Sequence, residues 1–134
     1  MKYLLLIHND ETRWTSLPDA ERDSLMQEYV AFTQDILRSG HYLAGEALQP
    51  VAGAATVRLQ AGRAVVTDGP FAETREQLGG FYLVEARDLA EAAAIAARIP
   101  AARTGAIEVR PVMPTPAPEC FDEPAPPEPL PARR

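Results

Sequence analysis

The chain of 134 residues contains one cysteine, Cys120, and two histidines, His8 and His41. A single cysteine cannot form an internal disulfide, and such sparing use is typical of a reducing cytoplasm. One Cys and two His also provide no zinc-ligand spacing. No apolar run approaches the roughly 20 residues that cross a bilayer, and Met1 leads directly into a strand-like segment without a signal-peptide pattern. The sequence therefore predicts a cytoplasmic protein with no metal and no membrane contact.

Basic residues and phosphate-binding motifs are also scarce. The formal net charge is -6, whereas a nucleic-acid interface needs clustered Lys and Arg to displace counterions from phosphate. We therefore expect no direct nucleic-acid contact, although contact with a protein that binds DNA stays open. The chain contains no Gly-x-Gly-x-x-Gly, no Gly-x-x-x-x-Gly-Lys-Ser/Thr and no Gly-x-Ser-x-Gly. Nucleotide-dependent and serine-hydrolase functions thus have no support, and we expect no cofactor.

The apolar pattern predicts one domain in which strands and helices alternate. Residues 2–8 are apolar at consecutive positions, as in a central strand that is covered on both faces. The order strand, helix, strand, hairpin, strand, helix, strand is the split βαβ arrangement of an α+β protein. The elements are predicted at residues 2–8, 19–39, 42–48, 56–67 (the hairpin, with Gly62 in its turn), 81–85, 88–99 and 107–112.

The two predicted helices have recognisable ends and apolar stripes. A polar turn at residues 9–12 precedes the first helix, for which Ser16 is the predicted cap. Asp88 and Glu91 have capping-box spacing at the start of the second helix, which Pro100 ends. The predicted apolar stripes are Leu25, Tyr29, Phe32 and Ile36 on the first helix and Leu89, Ala93, Ala96 and Ile99 on the second.

The most informative segment is Asp-Gly-Pro-Phe-Ala-Glu-Thr-Arg-Glu at residues 68–76, which runs into an apolar strand. Gly69 precedes a proline and is biased to extended or turn conformations, while Pro70 fixes φ and removes one donor. Asp68 suits such a turn because its side chain can bond backbone N–H groups two residues on. The segment therefore holds a carboxylate in one orientation, which structure and catalysis can both use.

This segment resembles the motif of the DGPF group within the YCII-related family. The likeness extends to residues 1–7 (MKYLLLI), 44–50 (AGEALQP) and 107–112 (IEVRPV), and so covers residues 1–113. The resemblance implies a ferredoxin-like α+β fold, a split βαβ with an inserted β-hairpin, that dimerises into an α+β barrel. It also implies a small cytoplasmic protein of uncharacterised function. Some relatives are fused to or encoded beside extracytoplasmic-function sigma factors, and an Asp–His pair elsewhere in the family has suggested enzymatic activity.

Burial alone also predicts a homodimer. A ferredoxin-like sheet carries both helices on one face, so its other face must be polar or covered. Residues 3–7 and 81–84 offer large apolar groups to both faces, and leaving the second face in water would expose more apolar surface than soluble monomers usually tolerate. Packing two such sheets face to face removes this surface from water, in agreement with the resemblance.

Three residues are predicted to carry acid–base chemistry. Asp68 is either a general acid or base in a desolvated pocket or an ionised turn residue. The resemblance implies that the histidine of the family's Asp–His pair lies on the first helix in relatives outside the DGPF group. Here residues 19–39 contain no histidine, and Tyr29 lies nearest to its place. Tyr29 either donates a hydrogen bond to Asp68 or a ligand, or packs in the core. His8, at the end of the first strand, either acts as a base or ligand donor or is simply half-exposed.

Four further residues are predicted to bind a substrate in a small-molecule pocket near Asp68. Glu46 either provides a second pocket carboxylate or points to solvent. Arg75 either draws an anionic substrate or belongs to a solvated charged loop. Phe71 and Tyr82 provide a pocket wall or apolar packing.

Two functions stay open at this point. The leading prediction is a dimeric protein with a small-molecule pocket near Asp68 and cofactor-free lyase or isomerase chemistry, by analogy with dimeric α+β barrels in general. The alternative is a non-catalytic regulatory or binding protein that acts with a sigma factor. The missing helix histidine favours the alternative, and so does the proline-rich tail, which is suited to bind a partner.

Residues 114–134 form that tail and contain eight of the 13 prolines. Proline runs cannot build a helix or a central strand, so we predict a polyproline-II-like or disordered segment. Alternatively, the tail lies along the partner subunit, with Phe121 and Leu130 as anchors. The predicted domain therefore ends at residue 113.

Overall fold

The computed structural model describes residues 1–117 and 127–132 and contains two compact units. The sheet unit comprises Met1–Gln49 and Thr74–Val112, and the hairpin unit comprises Pro50–Glu73 and Met113–Arg134. Along the chain the elements are β1 (Lys2–Asn9), α1 (Glu11–Ser16), α2 (Asp19–Arg38), β2 (Tyr42–Ala47), β3 (Ala55–Gln60), β4 (Arg63–Asp68), β5 (Gln77–Glu85), α3 (Leu89–Ala96) and β6 (Ala106–Pro111), with short 3-10 turns at Val51–Gly53 and Pro100–Arg103.

The sheet unit contains a four-stranded sheet with the order β2-β5-β1-β6. All three neighbouring pairs are antiparallel. The long helix α2 connects β1 to β2 with β5 between them, and α3 connects β5 to β6 with β1 between them. The chain thus contains the split βαβ arrangement twice, which confirms the predicted ferredoxin-like α+β fold.

One face of this sheet is buried against the helices, and we call it the helix-covered face. Tyr3, Leu5 and Ile7 of β1 point to this face at alternate positions and are at most 9% exposed, as the pleat of a strand requires. Ile36 of α2 and Val84 of β5 are fully buried. The complete core cluster is Tyr3, Leu5, Ile7, Phe32, Ile36, Tyr82, Val84, Ala86, Ala92, Ile95, Ala96, Ile99 and Ala101.

The predicted apolar stripe of the second helix is partly wrong. Leu89 is 53% exposed and Ala93 is exposed, although both were expected to face the sheet. The buried positions follow i, i+3, i+4, i+7 spacing, so the predicted stripe is rotated from the packed one towards solvent. The packed residues are Ala92, Ile95, Ala96 and Ile99.

The chain before α2 also differs from the prediction, because the expected polar turn contains the start of α1. Asp10 caps α1: its carboxylate accepts from the Thr12 N–H at 3.0 Å and from the Thr12 hydroxyl at 2.7 Å. Ser16 is the last residue of α1 and donates to the Arg13 carbonyl at 3.0 Å, so its predicted role as cap of α2 is wrong. Pro18 occupies that position, where its fixed φ suits entry into a helix.

The other predicted helix start is confirmed. The Asp88 carboxylate accepts from the Glu91 N–H at 2.9 Å, and the Glu91 carboxylate accepts from the Arg87 N–H at 3.1 Å. The first contact satisfies a donor that a helix start otherwise leaves unpaired, and the second joins the residue before the cap to the first turn. After α3 the chain turns through a 3-10 segment that begins at Pro100, and β5 begins at Gln77, ahead of its predicted start at residue 81.

The hairpin unit contains β3 and β4, which pair antiparallel with Ala55 opposite Asp68. Ala61 and Gly62 form the connecting turn, with φ values of 51° and 77°. Positive φ at both central residues is the requirement of a type I′ turn. The inserted hairpin and its turn at Gly62 are therefore confirmed.

The tail contains neither helix nor strand at residues 114–117 and 127–132. Leu130, one of the two predicted anchors, is 65% exposed in the chain. The other anchor, Phe121, lies outside the described residues, as does Cys120. In the described part of the chain, no helix is both long and apolar enough to cross a membrane.

Candidate functional site

The other face of the four-stranded sheet is partly exposed and mixes apolar with charged side chains. Leu4 and Leu6 of β1 and Phe81 and Leu83 of β5 alternate with the core residues and are half-buried. Because successive side chains of a strand point to opposite faces, these four share one surface. We call it the second face; its members are Leu4, Leu6, His8, Ala44, Glu46, Phe81, Leu83, Glu108 and Arg110.

One row of residues crosses the second face from edge to edge. The strand register places Glu46 opposite Phe81, Phe81 opposite Leu6, and Leu6 opposite Glu108. The row therefore has two large apolar side chains at its centre and a carboxylate on each outer strand. An apolar centre with a charged rim is the usual anatomy of a protein interface.

His8 and Glu108 meet at one end of the second face. The His8 Nε2 atom lies 3.5 Å from the Glu108 Oε1 atom, and the two side chains are 32% and 51% exposed. The other Glu108 oxygen lies 3.9 Å from the Arg110 Nε atom. Histidine changes its protonation near neutral pH, and a carboxylate partner orients the ring. The contact therefore places an acid–base group beside an apolar surface.

Glu46 lies on the second face. The residue before it, Gly45, must be glycine because of the packing on the helix-covered face. A Cβ atom at Gly45 would lie 2.8 Å from the Cδ1 atom of the Tyr82 ring, a separation that real Cβ atoms do not adopt. Glycine thus lets β2 approach β5 closely here. Glu46, the next residue, is exposed and lies opposite Phe81. Its role as a second pocket carboxylate stays a prediction.

Tyr82 belongs to the core of the helix-covered face. Its hydroxyl lies 2.9 Å from the Thr33 hydroxyl of α2. Its ring meets Phe32 edge-on, with 5.1 Å between centroids, and Tyr42 at 6.4 Å. Burial raises the pKa of Tyr82 above its ordinary value. These contacts favour apolar packing, the alternative to a pocket wall.

Tyr29 is half-buried and packs against the same core. Burial raises the pKa of Tyr29, while a hydrogen bond with the backbone of Ala101 acts in the opposite direction. Since His8 and Glu46 lie on the second face, the sheet separates them from Tyr29 and Tyr82. The geometry favours core packing over a catalytic role for Tyr29.

Arg75 is exposed in the segment that leads into β5. Hydrogen bonds from Thr12 hold the pKa of Asp10 below its ordinary value, and the positive charge of Arg75 adds a smaller lowering effect. The segment is fixed by the Gln77 side chain, which donates to the Thr74 carbonyl at 2.6 Å. The predicted role of Arg75 in drawing an anionic substrate stays a prediction.

Asp68 is the exposed last residue of β4 in the hairpin unit. The chain turns directly after it, with φ of 100° at Gly69. The Gly69 N–H donates to the Ala54 carbonyl at 2.8 Å, and the Thr56 hydroxyl donates to the Gly69 carbonyl at 2.9 Å. By alternation Asp68 shares one side of β4 with Val66, which is 4% exposed. The turn thus fixes a carboxylate at the end of an apolar strand face, and its chemical role stays a prediction.

Phe71 follows this turn and is 76% exposed. The guanidinium carbon of Arg58 lies 5.1 Å from the centroid of the Phe71 ring. This distance is within the range of a cation–π contact. Phe71 therefore has a cationic partner within its own unit, and its role as a pocket wall stays a prediction.

A shallow groove of about 450 Å³ lies beside α2, and none of the seven predicted site residues lines it. Two ion pairs cross it, Arg98 with Asp35 at 2.7 Å and Arg103 with Glu28 at 2.5 Å. Their side chains are 45–63% exposed, so water screens both pairs. Within residues 1–117 and 127–132, no three His, Cys, Asp or Glu side chains are grouped as a metal ion would need.

Glu108 and Arg110 on the second face are not among the residues predicted from the sequence. In residues 106–111 charged and apolar residues alternate, so the two charges occupy one side of β6 while Ile107 and Val109 pack against the core. That alternation was available as a signal. The register between β1 and β6, which brings Glu108 next to His8, joins segments about a hundred residues apart and has no local signal.

Comparison with known proteins shows the family of this chain. The model of the YCII-related domain matches residues 1–116. The chain belongs to the YCII-related family. An uncharacterized protein of Rhizobium meliloti (strain 1021) is 39% identical to it over 114 residues, which are 84% of this chain and 92% of that relative. The YCII-related family predicted from residues 68–85 is therefore confirmed.

Proposed function

We propose that this YCII-related protein works as a homodimer in which the second faces of two subunits pack together. Leu4, Leu6, Phe81 and Leu83 form a half-buried apolar centre within one subunit. A two-fold axis would present the same surface from the other subunit. Burying apolar surface stabilises association by about 25 cal/mol per Å², and the charged residues of the outer strands then form a rim.

Within that dimer we propose a small-molecule site that contains His8 and Glu108. The observation that carries this proposal is the 3.5 Å contact between the two side chains, on a half-buried surface. Packing of two such faces excludes water and strengthens electrostatic interactions. The chemistry that fits is proton transfer without a cofactor, as in a lyase or an isomerase. The reaction class rests on analogy with dimeric α+β barrels in general.

We propose Asp68 as a separate acid–base residue in a pocket at the hairpin unit. Two observations support it: the turn after Asp68 is fixed by hydrogen bonds at Gly69, and its side of β4 carries the buried Val66. A carboxylate at the edge of an apolar surface is a common starting point for a tuned acid or base. Phe71 and Arg58 of the same unit offer an apolar and a cationic group to a ligand.

Carbon-bound hydrogen exchange tests the proton-transfer proposal. The protein is incubated in D₂O with a panel of small carbonyl compounds, and loss of the C–H signals is followed by NMR. We expect exchange with at least one compound and a loss of about 100-fold or more in His8→Gln. Asp68→Asn keeps the turn and removes the charge, so it reports on Asp68 alone, while His41→Gln is the control. Full exchange rates in both His8→Gln and Asp68→Asn would contradict the acid–base assignment.

Sedimentation equilibrium tests the dimer. We expect a mass of two chains for the wild type and of one chain for Leu6→Glu, which places a charge at the centre of the second face. Leu59→Glu adds the same charge at a leucine that is 76% exposed in the hairpin unit, and it should leave the mass unchanged. Circular dichroism shows whether Leu6→Glu is folded. A folded Leu6→Glu variant with the wild-type mass would show that the second face is not the dimer interface.

The second candidate is a non-catalytic cytoplasmic regulator that acts with a sigma factor. The observation that favours it is the position of Tyr29, which stands nearest to the place of the helix histidine of other relatives and is held in the core. An acid–base pair of Asp68 with a helix residue therefore has no support. A sigma factor that co-purifies equally with wild type and His8→Gln, combined with no exchange on any compound, would favour this candidate.

A further inference from the structure

Two cations lie close together at one end of the second face. The alternation that buries Tyr3 and Leu5 of β1 places Lys2 on the second face. Arg110 of β6 lies on the same face, opposite Leu4. Lys2 and Arg110 are therefore diagonal neighbours on adjacent strands, at a spacing of about 7–8 Å that long side chains can bridge. We call these two residues the cation pair.

The cation pair keeps its hydrogen-bond donors available. Within the described part of the chain, neither side chain donates a hydrogen bond. Glu108 approaches Arg110 at its Nε atom, but the separation of 3.9 Å is longer than a hydrogen bond. Glu85, which lies opposite Lys2, already accepts from the Met1 amino group at 2.6 Å. A negatively charged ligand can therefore bind both cations without displacing a hydrogen-bonded partner.

The Glu108 carboxylate lies between the cation pair and His8. Its Oε1 atom is 3.5 Å from the His8 Nε2 atom, and its Oε2 atom is 3.9 Å from the Arg110 Nε atom. Because both oxygens are bonded to one carbon, the imidazole and the guanidinium are only a few atoms apart. Leu4 and Leu6 lie between them along β1 and provide an apolar floor. Since β6 is the outermost strand of the sheet, a small ligand can reach these groups from the edge.

We propose that the cation pair binds the carboxylate of the substrate, so that the substrate class of the second face is a short keto acid. This inference rests on the proposed proton transfer at His8 and deepens it. The Arg110 guanidinium binds a carboxylate through two parallel N–H···O bonds, and Lys2 adds a point charge. The carbon chain of the acid then lies over Leu4 and Leu6, and a C–H group beside its keto carbonyl lies at the imidazole.

NMR titration tests the carboxylate site. Pyruvate, 2-oxobutyrate and acetoacetate, and the methyl ester of each, are added at constant ionic strength while the His8 imidazole signals are followed. We expect at least one acid to shift these signals and to bind about tenfold or more tightly than its ester, because the ester lacks the charge that strengthens such hydrogen bonds. No shift with any acid, or equal affinities for acid and ester, would overturn the proposal.

Variants of the cation pair locate the site. Arg110→Gln should weaken binding of the acid by about tenfold and leave binding of the ester unchanged. Arg110→Lys keeps the charge without the planar fork and should lie between wild type and Arg110→Gln, and Lys2→Gln should cause a smaller loss. Arg103→Gln is the matched control, because it removes an arginine of similar exposure that pairs with α2 on the other side of the sheet. The same acid affinity in wild type and folded Arg110→Gln would overturn the proposal.

The titration and the hydrogen-exchange experiment fail separately. An acid that binds through Arg110 but keeps its C–H signals in D₂O would contradict proton transfer at His8 and leave the carboxylate site in place. Protein-dependent exchange that is equally fast for an ester and its acid, and that is lost in His8→Gln, would support proton transfer and overturn the carboxylate site.

Discussion

The helix-covered face and the second face of the sheet are built from the same strands, yet they bury very different fractions of their side chains. Leu5 of β1 is fully buried, whereas its neighbour Leu6 is only half-buried. Among the described residues no polar or charged residue is buried, while the second face carries His8, Glu46 and Glu108. An apolar run in a strand thus contributes side chains to two surfaces, and the helices of the chain cover only one of them.

Truncating one leucine on each face tests most directly whether the two faces differ in burial. Leu5→Ala should lower the free energy of unfolding by about 2–5 kcal/mol, because a fully buried side chain leaves a cavity. Leu6→Ala removes the same atoms from a half-buried site and should cost clearly less. Urea unfolding at low protein concentration, where a dimer contributes little, gives both values. Equal losses of stability would mean that Leu6 of the second face is packed in the core of one chain as tightly as Leu5 of the helix-covered face.

The contact between Gly45 and Tyr82 tests how tightly the helix-covered face is packed. Gly45→Ala should cost about 1–3 kcal/mol, because its Cβ atom would lie 2.8 Å from the Tyr82 ring and force a shift. Gly79→Ala is the control, since the nearest atom to its Cβ, the Ile7 carbonyl oxygen, is 4.0 Å away. Thermal unfolding of both variants measures the difference. Similar melting temperatures would show that the ring moves aside freely.

The buried Tyr82 phenol is expected to make the free energy of unfolding depend on pH. At neutral pH, Tyr82→Phe should cost about 1 kcal/mol through loss of the Thr33 hydrogen bond. The folded-state pKa is raised above the ordinary 10.0, so this group contributes its full stability below pH 10 and loses it as the pH rises through the folded pKa. Urea midpoints from neutral to alkaline pH should therefore fall less steeply in Tyr82→Phe than in the wild type.

Thr33→Val is the control for Tyr82→Phe. It removes the same hydrogen bond, together with the one that Thr33 donates to the Tyr29 carbonyl at 2.9 Å, but it keeps the ionisable phenol. Its stability should still decline above pH 10. If Tyr82→Phe declined as steeply as Thr33→Val, burial of the phenol would contribute nothing to the alkaline loss.

The smallest effect is expected on the second face. Glu108→Gln should change the free energy of unfolding by less than about 1 kcal/mol, because both partners of the His8 contact are partly exposed and water screens them. Arg103→Gln breaks an exposed ion pair with Glu28, and its loss of stability is the reference value for a screened surface contact. Chemical denaturation of both variants is sufficient. A markedly larger loss for Glu108→Gln would place the His8 contact in the folded core rather than on a surface available to a ligand.

The fold could be predicted because its signals are local. Alternation in β3 and β4, the Gly62 turn and the capping pair of Asp88 and Glu91 each lie within a few residues. The start of α2 was misread because Ser16 and Pro18 both suit a helix entry, and only the structure shows that Ser16 completes α1.

The candidate site could be predicted only in part. The turn after Asp68 and the place of His8 at a strand end are local features and were expected. The contact of His8 with Glu108, and that of Tyr82 with Thr33, join distant segments through strand register and helix phase. A single sequence fixes neither quantity, so the face of the sheet on which Tyr82 lies could not be derived from its type or position. Helical spacing did place Tyr29 on the packed stripe of α2.

The pairing of β2 with β5 has a consequence for how this protein can change. The chain leaves β2 after Ala47, which pairs with Gly80 of β5, and the Leu48 N–H donates to the Gly79 carbonyl at 2.9 Å. Residues 48–79, which contain Asp68, therefore form a loop whose two ends are joined by this backbone hydrogen bond. Each doubling of such a loop costs only about 0.6 kcal/mol of closure entropy. Evolution can thus lengthen, shorten or rewrite the segment with the Asp-Gly-Pro-Phe turn while the sheet that folds the protein stays as it is.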